Sequence, residues 1–109
     1  MEKIIQIEDT QVRLVCSIGT MVKYRSLFGS GMMEDVQILT DGFKDTGAVN
    51  EKILAQLAYA MAKQGDPSIG TMDEWLDQFN IFAFFDQMTP EVIALWNESS
   101  ESSIKAKKK

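Results

Sequence analysis

The hydrophobic pattern changes its period near Gly19, and this change limits the possible fold more than any other sequence feature. Before it, residues 3–7 and 11–15 are two runs rich in β-branched residues, separated by the polar residues 8–10. Two such runs joined by a polar turn predict a β-hairpin near residues 3–16. After it, apolar residues recur three and four positions apart, which is typical of amphipathic helices. The sequence therefore predicts an α+β fold that is mostly α-helical.

About five short helices are expected after the N-terminal β-hairpin, because capping signals delimit them. Thr20 is predicted to cap the first helix and Gly29 to end it. Asn50 is predicted to cap the strongest helix, which is rich in alanine and leucine and covers residues 51–64. Thr71 and the Glu74 that follows it three positions later match a capping box.

Two further helix boundaries follow from glycine and proline. The second helix begins after Gly31 and is predicted to end near Gly42, which leaves residues 41–50 as a loop. The last helix is predicted to begin at Thr89 and Pro90, since proline favours the first helical position.

The chain is predicted to form one folded domain over residues 1–96, an ordinary size for a single core. From residue 97 the composition changes to serine, glutamate and lysine, so residues 97–109 are predicted to be a flexible, disordered C-terminal tail. The apolar stripes of the helices give the residues expected to be largely buried, which are Ile53, Leu57, Met61, Trp75 and Phe79.

Signals of catalysis are weak. The chain has no histidine, which removes the commonest general base and metal ligand. Cys16 therefore has no histidine to activate its thiolate, and we expect a buried core residue there. Asp73, Glu74 and Asp77 fall within one helical turn, but the positive end of a helix favours acidic residues there without any metal. We predict no enzyme activity, no cofactor and no metal site.

The charge of the chain is unevenly distributed. Seven basic and sixteen acidic residues precede Lys105, a net charge of −9, and there is no lysine or arginine from Gln64 to Ile104. Specific nucleic-acid binding is not expected, because such binding needs clustered cations. No apolar run approaches the roughly 18 residues of a membrane span, so a soluble cytoplasmic protein is expected.

Five aromatic residues lie within a stretch of eleven residues, namely Trp75, Phe79, Phe82, Phe84 and Phe85. The segment 81–85 is apolar on all sides of a helix. Its side chains either fill a core or remain partly exposed as a docking patch.

Three segments resemble a known family when they are taken in order. They are residues 24–29 (YRSLFG), residues 57–64 (LAYAMAKQ) and residues 74–79 (EWLDQF). Together with the hairpin and the lysine-rich end, they make the chain similar to the tail assembly chaperones of long-tailed bacteriophages and Gram-positive prophages. The resemblance covers roughly residues 3–96 and rests on packing residues, so no single motif is diagnostic.

The resemblance implies a non-enzymatic protein of the host bacterial cytoplasm that is absent from the mature virion. Such chaperones bind and solubilise the tape measure protein and help the tail tube protein polymerise around it. The resemblance implies that a longer frameshifted product makes the contact with the tail tube protein. The chain ends in three lysines, Lys107, Lys108 and Lys109. They are consistent with programmed ribosomal frameshifting, because lysine codons form adenine runs on which ribosomes slip. A solubilising tail would explain them equally well. A homo-oligomer is expected, since many weak sites acting together suit a long partner.

The partner-binding surface is predicted at Tyr24 and Phe28 on the first helix and at Phe82, Phe84 and Phe85. The alternative function is an unrelated cytoplasmic adaptor or regulatory protein that binds one partner helix in a groove.

Overall fold

A computed structural model describes the backbone of residues 1–108 and the side chains of residues 1–100. Within these residues a two-stranded antiparallel hairpin precedes five helices, which confirms the predicted, mostly helical α+β fold. The elements are β1 (Glu2–Ile7), β2 (Thr10–Val15), α1 (Ile18–Phe28), α2 (Met32–Thr46), α3 (Glu51–Gly65), α4 (Met72–Asp77) and α5 (Ile81–Lys108).

The hairpin covers the core with one face. Its register pairs Ile5 with Val12 and Lys3 with Leu14 across a two-residue turn in which Glu8 has a φ of 52°. Ile5, Val12 and Leu14 are buried, whereas the alternate residues face outwards. This alternation is the period-two pattern of a sheet with one solvated face.

Helix α3 is the centre of the domain and packs against β2 and against each of the other four helices. Leu57 and Met61 are fully buried and Trp75 of α4 is nearly so, as predicted. Ile53 and Phe79, which were also expected in the core, are only partly buried and pack against its edge. The core therefore surrounds the alanine- and leucine-rich helix identified from the sequence.

Helix α1 begins three residues earlier than predicted. Its N-cap is Ser17, and Thr20 is instead the third helical residue of a reciprocal capping box with Ser17. The Thr20 hydroxyl also donates a hydrogen bond to the Val15 carbonyl at 2.8 Å, so it ties the helix to the end of β2. The predicted end is confirmed, because Gly29 adopts the left-handed conformation with a φ of 78°.

Helix α2 ends at Thr46 and not near Gly42, so residues 41–46 are helical where a loop was predicted. The left-handed residue that ends the helix is Gly47, whose φ is 73° and whose N–H donates to the Phe43 carbonyl at 3.0 Å. Gly42 lies inside the helix, because a helix needs only one left-handed glycine at its C-terminal end and Gly47 has that role.

Helix α5 begins at Ile81, so the predicted start at Thr89 and Pro90 is wrong. The Asn80 side chain caps it by accepting hydrogen bonds from the N–H groups of Phe82 and Ala83 at 3.0 and 3.1 Å. Pro90 lies inside the helix and removes one hydrogen bond from it.

The burial of three side chains on one face of α5 explains why the helix continues through the proline. Met88, Val92 and Leu95 are fully buried, and they reach the core together only if the helix is continuous. The Thr89 hydroxyl is buried and has no hydrogen-bond partner among the described residues, so it does not act as a cap.

The helix continues into the region predicted as a tail. Residues 97–100 are helical, and the Ser99 hydroxyl donates to the Leu95 carbonyl at 2.8 Å. The backbone of α5 is helical to Lys108, whereas the side chains of residues 101–109, including Lys107, Lys108 and Lys109, lie outside the described part of the structure.

Candidate functional site

An apolar groove of about 220 Å³ opens between α3, α4 and the beginning of α5. Six apolar residues and one carboxylate line it, namely Ala55, Leu76, Phe79, Ile81, Phe84, Phe85 and Glu51. Because small-molecule pockets commonly measure about 300–1,000 Å³, this groove is better suited to a few side chains of a partner.

Capping interactions set the positions of the two helices that border the groove. At the start of α4 the Thr71 hydroxyl accepts from the Glu74 N–H at 3.2 Å, and the Glu74 carboxylate accepts from the Thr71 N–H at 3.1 Å. The backbone hydrogen bond from Thr71 lowers the pKa of Glu74, because it favours the charged form. The Asn80 cap then begins α5 directly after α4, which brings Phe79 of the connection beside Phe84 of α5.

Aromatic rings in edge-to-face and tilted contacts form the floor of the groove. Trp75 contacts Phe79 edge-to-face at 5.0 Å between ring centroids, and Phe79 lies 5.5 Å from Phe84. Phe84 in turn meets Phe85 edge-to-face at 5.9 Å. Tyr59 supports this cluster from α3, with its ring 5.8 Å from Trp75 and its hydroxyl donating to the Gly70 carbonyl at 2.7 Å. Interlocked aromatic rings of this kind hold a surface in one shape before a partner arrives.

Two large apolar side chains at the start of α5 remain in water. Ile81 is 66% exposed and lines the groove, and its neighbour Phe82 is 75% exposed. Both follow the Asn80 cap directly, so their backbone is held while their side chains are uncovered. The aromatic segment therefore combines the two possibilities left open by the sequence, since it fills the core at Phe84 and is exposed at Phe82.

The structure brings three of the five predicted binding residues together. Phe82 is exposed beside the groove, Phe85 is partly buried in its wall, and Phe84 is buried in its floor. A partner can contact Phe82 and Phe85 directly. The prediction of Phe84 as an exposed contact needs correction, because Phe84 packs against Trp75 and Phe79.

The α1 part of the predicted surface needs a larger correction. Tyr24 is fully buried, and its hydroxyl donates to the Asp35 carboxylate at 2.5 Å, which also accepts from the Ser30 hydroxyl at 2.7 Å. Burial, reinforced by Asp35, raises the pKa of Tyr24 well above its usual range. Phe28 is partly buried with its ring 4.9 Å from that of Tyr24. Tyr24 joins α1 to α2 and offers no side-chain surface to a partner.

Sequence reasoning missed the residues that α3 and α4 contribute to the groove. Ala55 and Glu51 are one turn apart on α3, and Leu76 lies on α4. Their position depends on how the two helices pack, so no local pattern marks them. Ile81 did carry a signal, because the segment 81–85 is apolar on all sides of a helix and cannot turn every side chain towards the core.

The described part of the chain contains neither a cluster of metal-binding side chains nor a membrane-spanning helix. Within it no three histidine, cysteine, aspartate or glutamate side chains are grouped as a metal ion would require. Nor does any helix there combine the length and the apolar character needed to cross a membrane.

Comparison with known proteins adds no relative to this description. No protein family model, no curated protein and no solved structure matches the chain.

Proposed function

We propose that this chain is a non-enzymatic tail assembly chaperone that holds an apolar helical segment of a tape measure protein in the groove beside Ile81 and Phe82. The observation that carries the proposal is the exposure of these two side chains at a preformed apolar groove. The ordered resemblance to tail assembly chaperones over residues 3–96 supports the choice of partner. A second copy of the groove in an oligomer would let many weak contacts act along one long partner.

The exposure of apolar groups in water provides the driving force. A tape measure protein that is not yet enclosed by a tail tube exposes long apolar stripes, and covering them is favourable in proportion to the area removed from water. An amphipathic helix laid into a groove is a recurrent way to do this. The body of the chaperone, with a net charge of −9 before Lys105, keeps such complexes apart by mutual repulsion.

The remaining parts of the proposal follow from the same role. The protein acts in the host bacterial cytoplasm and does not remain in the mature virion. Contact with the tail tube protein is assigned to a longer frameshifted product, for which Lys107, Lys108 and Lys109 mark the slippage site. The short product, which is the present chain, needs only the groove to bind the tape measure protein.

Co-expression with a tape measure fragment tests the proposal with a matched pair of variants. The Ile81→Asp/Phe82→Asp variant is expected to leave the fragment insoluble, because two charges beside the groove prevent an apolar stripe from docking. The matched control is Ile18→Asp/Val22→Asp, which changes side chains that are 79% and 65% exposed on α1. Ile18 and Ile81 each begin a helix, where aspartate is tolerated, so both variants should fold. The amount of fragment in the soluble fraction is the measurement.

Wild type, the α1 control and a chain ending at Ser103 are all expected to keep the fragment soluble. The α1 control tests a distant site, since Gly19 packs beside Gln64 at the far end of α3 from Glu51. If the α1 variant fails and the groove variant works, the groove is not the binding face. If wild type fails, the chaperone function is refuted, and a stable complex with a folded host protein would then favour the adaptor.

A further inference from the structure

We infer that the groove selects helices whose apolar stripe is flanked by lysine or arginine, and discriminates against helices with acidic flanks. The inference rests on the proposed function and concerns the same groove. It specifies which segments of an apolar partner the groove would take.

The carboxylates from Asp66 to Glu91 fall into two groups. Some have structural roles, since Asp66 accepts from Ser68, Glu74 belongs to the α4 capping box and Glu91 pairs with Lys3 at 2.9 Å. Asp73, Asp77 and Asp86 are exposed and make no hydrogen bond or ion pair with any residue from 1 to 100. Their charges are thus not neutralised within the described structure.

The unpaired carboxylates lie on the two helices that border the groove. Asp73 and Asp77 are one turn apart on α4, and Asp77 directly follows the lining residue Leu76. On α5, Asp86 directly follows the lining residue Phe85 and lies one turn after Phe82. Both helices that border the groove therefore carry exposed acidic groups next in sequence to its lining residues or within one turn of them.

The third wall adds a carboxylate of its own. Glu51 of α3 is the charged residue that lines the groove, and the neighbouring Lys52 is the nearest cation in the sequence. No lysine or arginine occurs from Gln64 to Ile104, so α4 and the described part of α5 contribute none. Acidic residues therefore outnumber basic residues on α4 and on the described part of α5.

An apolar groove with one carboxylate in its lining and unpaired carboxylates on its bordering helices distinguishes partners by charge as well as by hydrophobicity. A helix with basic flanks places its cations against Asp73, Asp77, Asp86 and Glu51, which favours encounter and fixes orientation. A helix with acidic flanks meets like charges and is rejected, although its apolar stripe is the same. The effect is electrostatic at an exposed surface, so added salt should weaken it.

Three synthetic helical peptides with one shared leucine stripe and flanks of lysine, glutamine or glutamate provide the test. Each labelled peptide is titrated with the full chain, and the dissociation constant is measured by fluorescence anisotropy at low and high salt. We expect the lysine peptide to bind about tenfold more tightly than the glutamine peptide at low salt, as a few exposed ion pairs allow. The glutamate peptide should bind more weakly than either, and the three affinities should converge as salt is added.

Two charge variants locate the effect. Asp73→Asn/Asp77→Asn/Asp86→Asn should lose most of the preference for the lysine peptide over the glutamine peptide, the remainder coming from Glu51. The matched control, Glu8→Gln/Asp9→Asn/Glu34→Gln, removes the same charge from the hairpin turn and α2 and should retain the preference. If both variants lose the lysine preference to the same extent, the inference is overturned, because the attraction would then come from the overall charge of the chain.

The outcomes separate this inference from the proposed function. If wild type solubilises the tape measure fragment and the three peptides bind equally, the inference is overturned while the function stands. Undiminished affinity for the lysine peptide in Ile81→Ser/Phe82→Ser, which removes the two exposed apolar side chains without adding charge, also overturns it, since the peptide would then bind elsewhere. A lysine preference without solubilisation of the fragment supports the selectivity of the groove and refutes the tape measure as its partner.

Discussion

The Leu57→Ala substitution is expected to lower the free energy of unfolding by about 2–5 kcal/mol. Leu57 is fully buried at the middle of α3, the helix against which β2 and the other four helices pack. Truncation removes the transfer free energy of the lost atoms and leaves a cavity. The surroundings cannot close that cavity easily, because several elements meet there.

Urea unfolding followed by circular dichroism measures this loss, and Leu27→Ala is the matched control. Leu27 is a leucine of helix α1 that is half exposed, so its truncation should change the free energy of unfolding by about 0.5 kcal/mol or less. A loss below about 0.5 kcal/mol at Leu57 would contradict the placement of α3 at the centre of the core.

The Gly65→Ala substitution is expected to destabilise the fold by roughly 1–3 kcal/mol, although alanine is the better helix former. Gly65 is the last residue of α3 and lies against β2. A Cβ atom placed there would clash with the backbone carbonyl oxygen of Arg13, and neither the strand nor the helix can move away cheaply. The Arg13 guanidinium also donates to the Gly65 carbonyl at 3.2 Å, a contact that any shift would disturb.

Gly42→Ala is the control that separates steric conflict from helix propensity. Gly42 is also helical, but a Cβ atom there would meet only the Ala48 carbonyl oxygen, at an ordinary distance of 3.7 Å. This variant should raise the free energy of unfolding by about 0.5–1 kcal/mol. Thermal or urea unfolding of both variants gives the comparison. A neutral Gly65→Ala would show that α3 and β2 are farther apart than described.

The elements predicted well from the sequence are those that local interactions determine. The hairpin is set by period-two alternation, and α3 and α4 begin at caps that the sequence displays at Asn50 and Thr71. Helix boundaries were harder to predict where the sequence offers two competing capping or stop signals. Ser17 and Thr20 both suit a cap, and Gly42 and Gly47 both suit a stop, so tertiary packing makes the choice.

Helix α5 shows how burial overrides a local signal. The Thr89-Pro90 pair is a good helix start in isolation, but the buried face of Met88, Val92 and Leu95 favours one continuous helix. The cost of one lost hydrogen bond is small beside the burial of three large side chains. The spacing of Phe84, Met88, Val92 and Leu95 does carry a helical stripe across Pro90, but the prediction followed the local start signal instead.

The candidate site was predictable only in part, for a related reason. Aromatic density identified residues 82–85, but which rings face water depends on where α4 and α3 pack. Tyr24 has an amphipathic side chain that suits an interface, and only the position of Asp35 and Ser30 shows that its hydroxyl is satisfied internally. Sequence reasoning therefore found the segment, and packing determined the surface.

Site-specific photo-crosslinking tests the central claim most directly, because it reports contact with the partner and not its consequences. The photoreactive residue p-benzoylphenylalanine replaces Phe82 in one variant and Ile18 in a control, both positions being well exposed. Each variant is co-expressed with the tape measure fragment and irradiated, and the crosslinked product is measured by mass spectrometry. We predict strong crosslinking to an apolar helical segment of the fragment from position 82 and little from position 18. Crosslinking from position 18 alone, or from neither position while the fragment stays soluble, would contradict the assignment of the groove as the binding site.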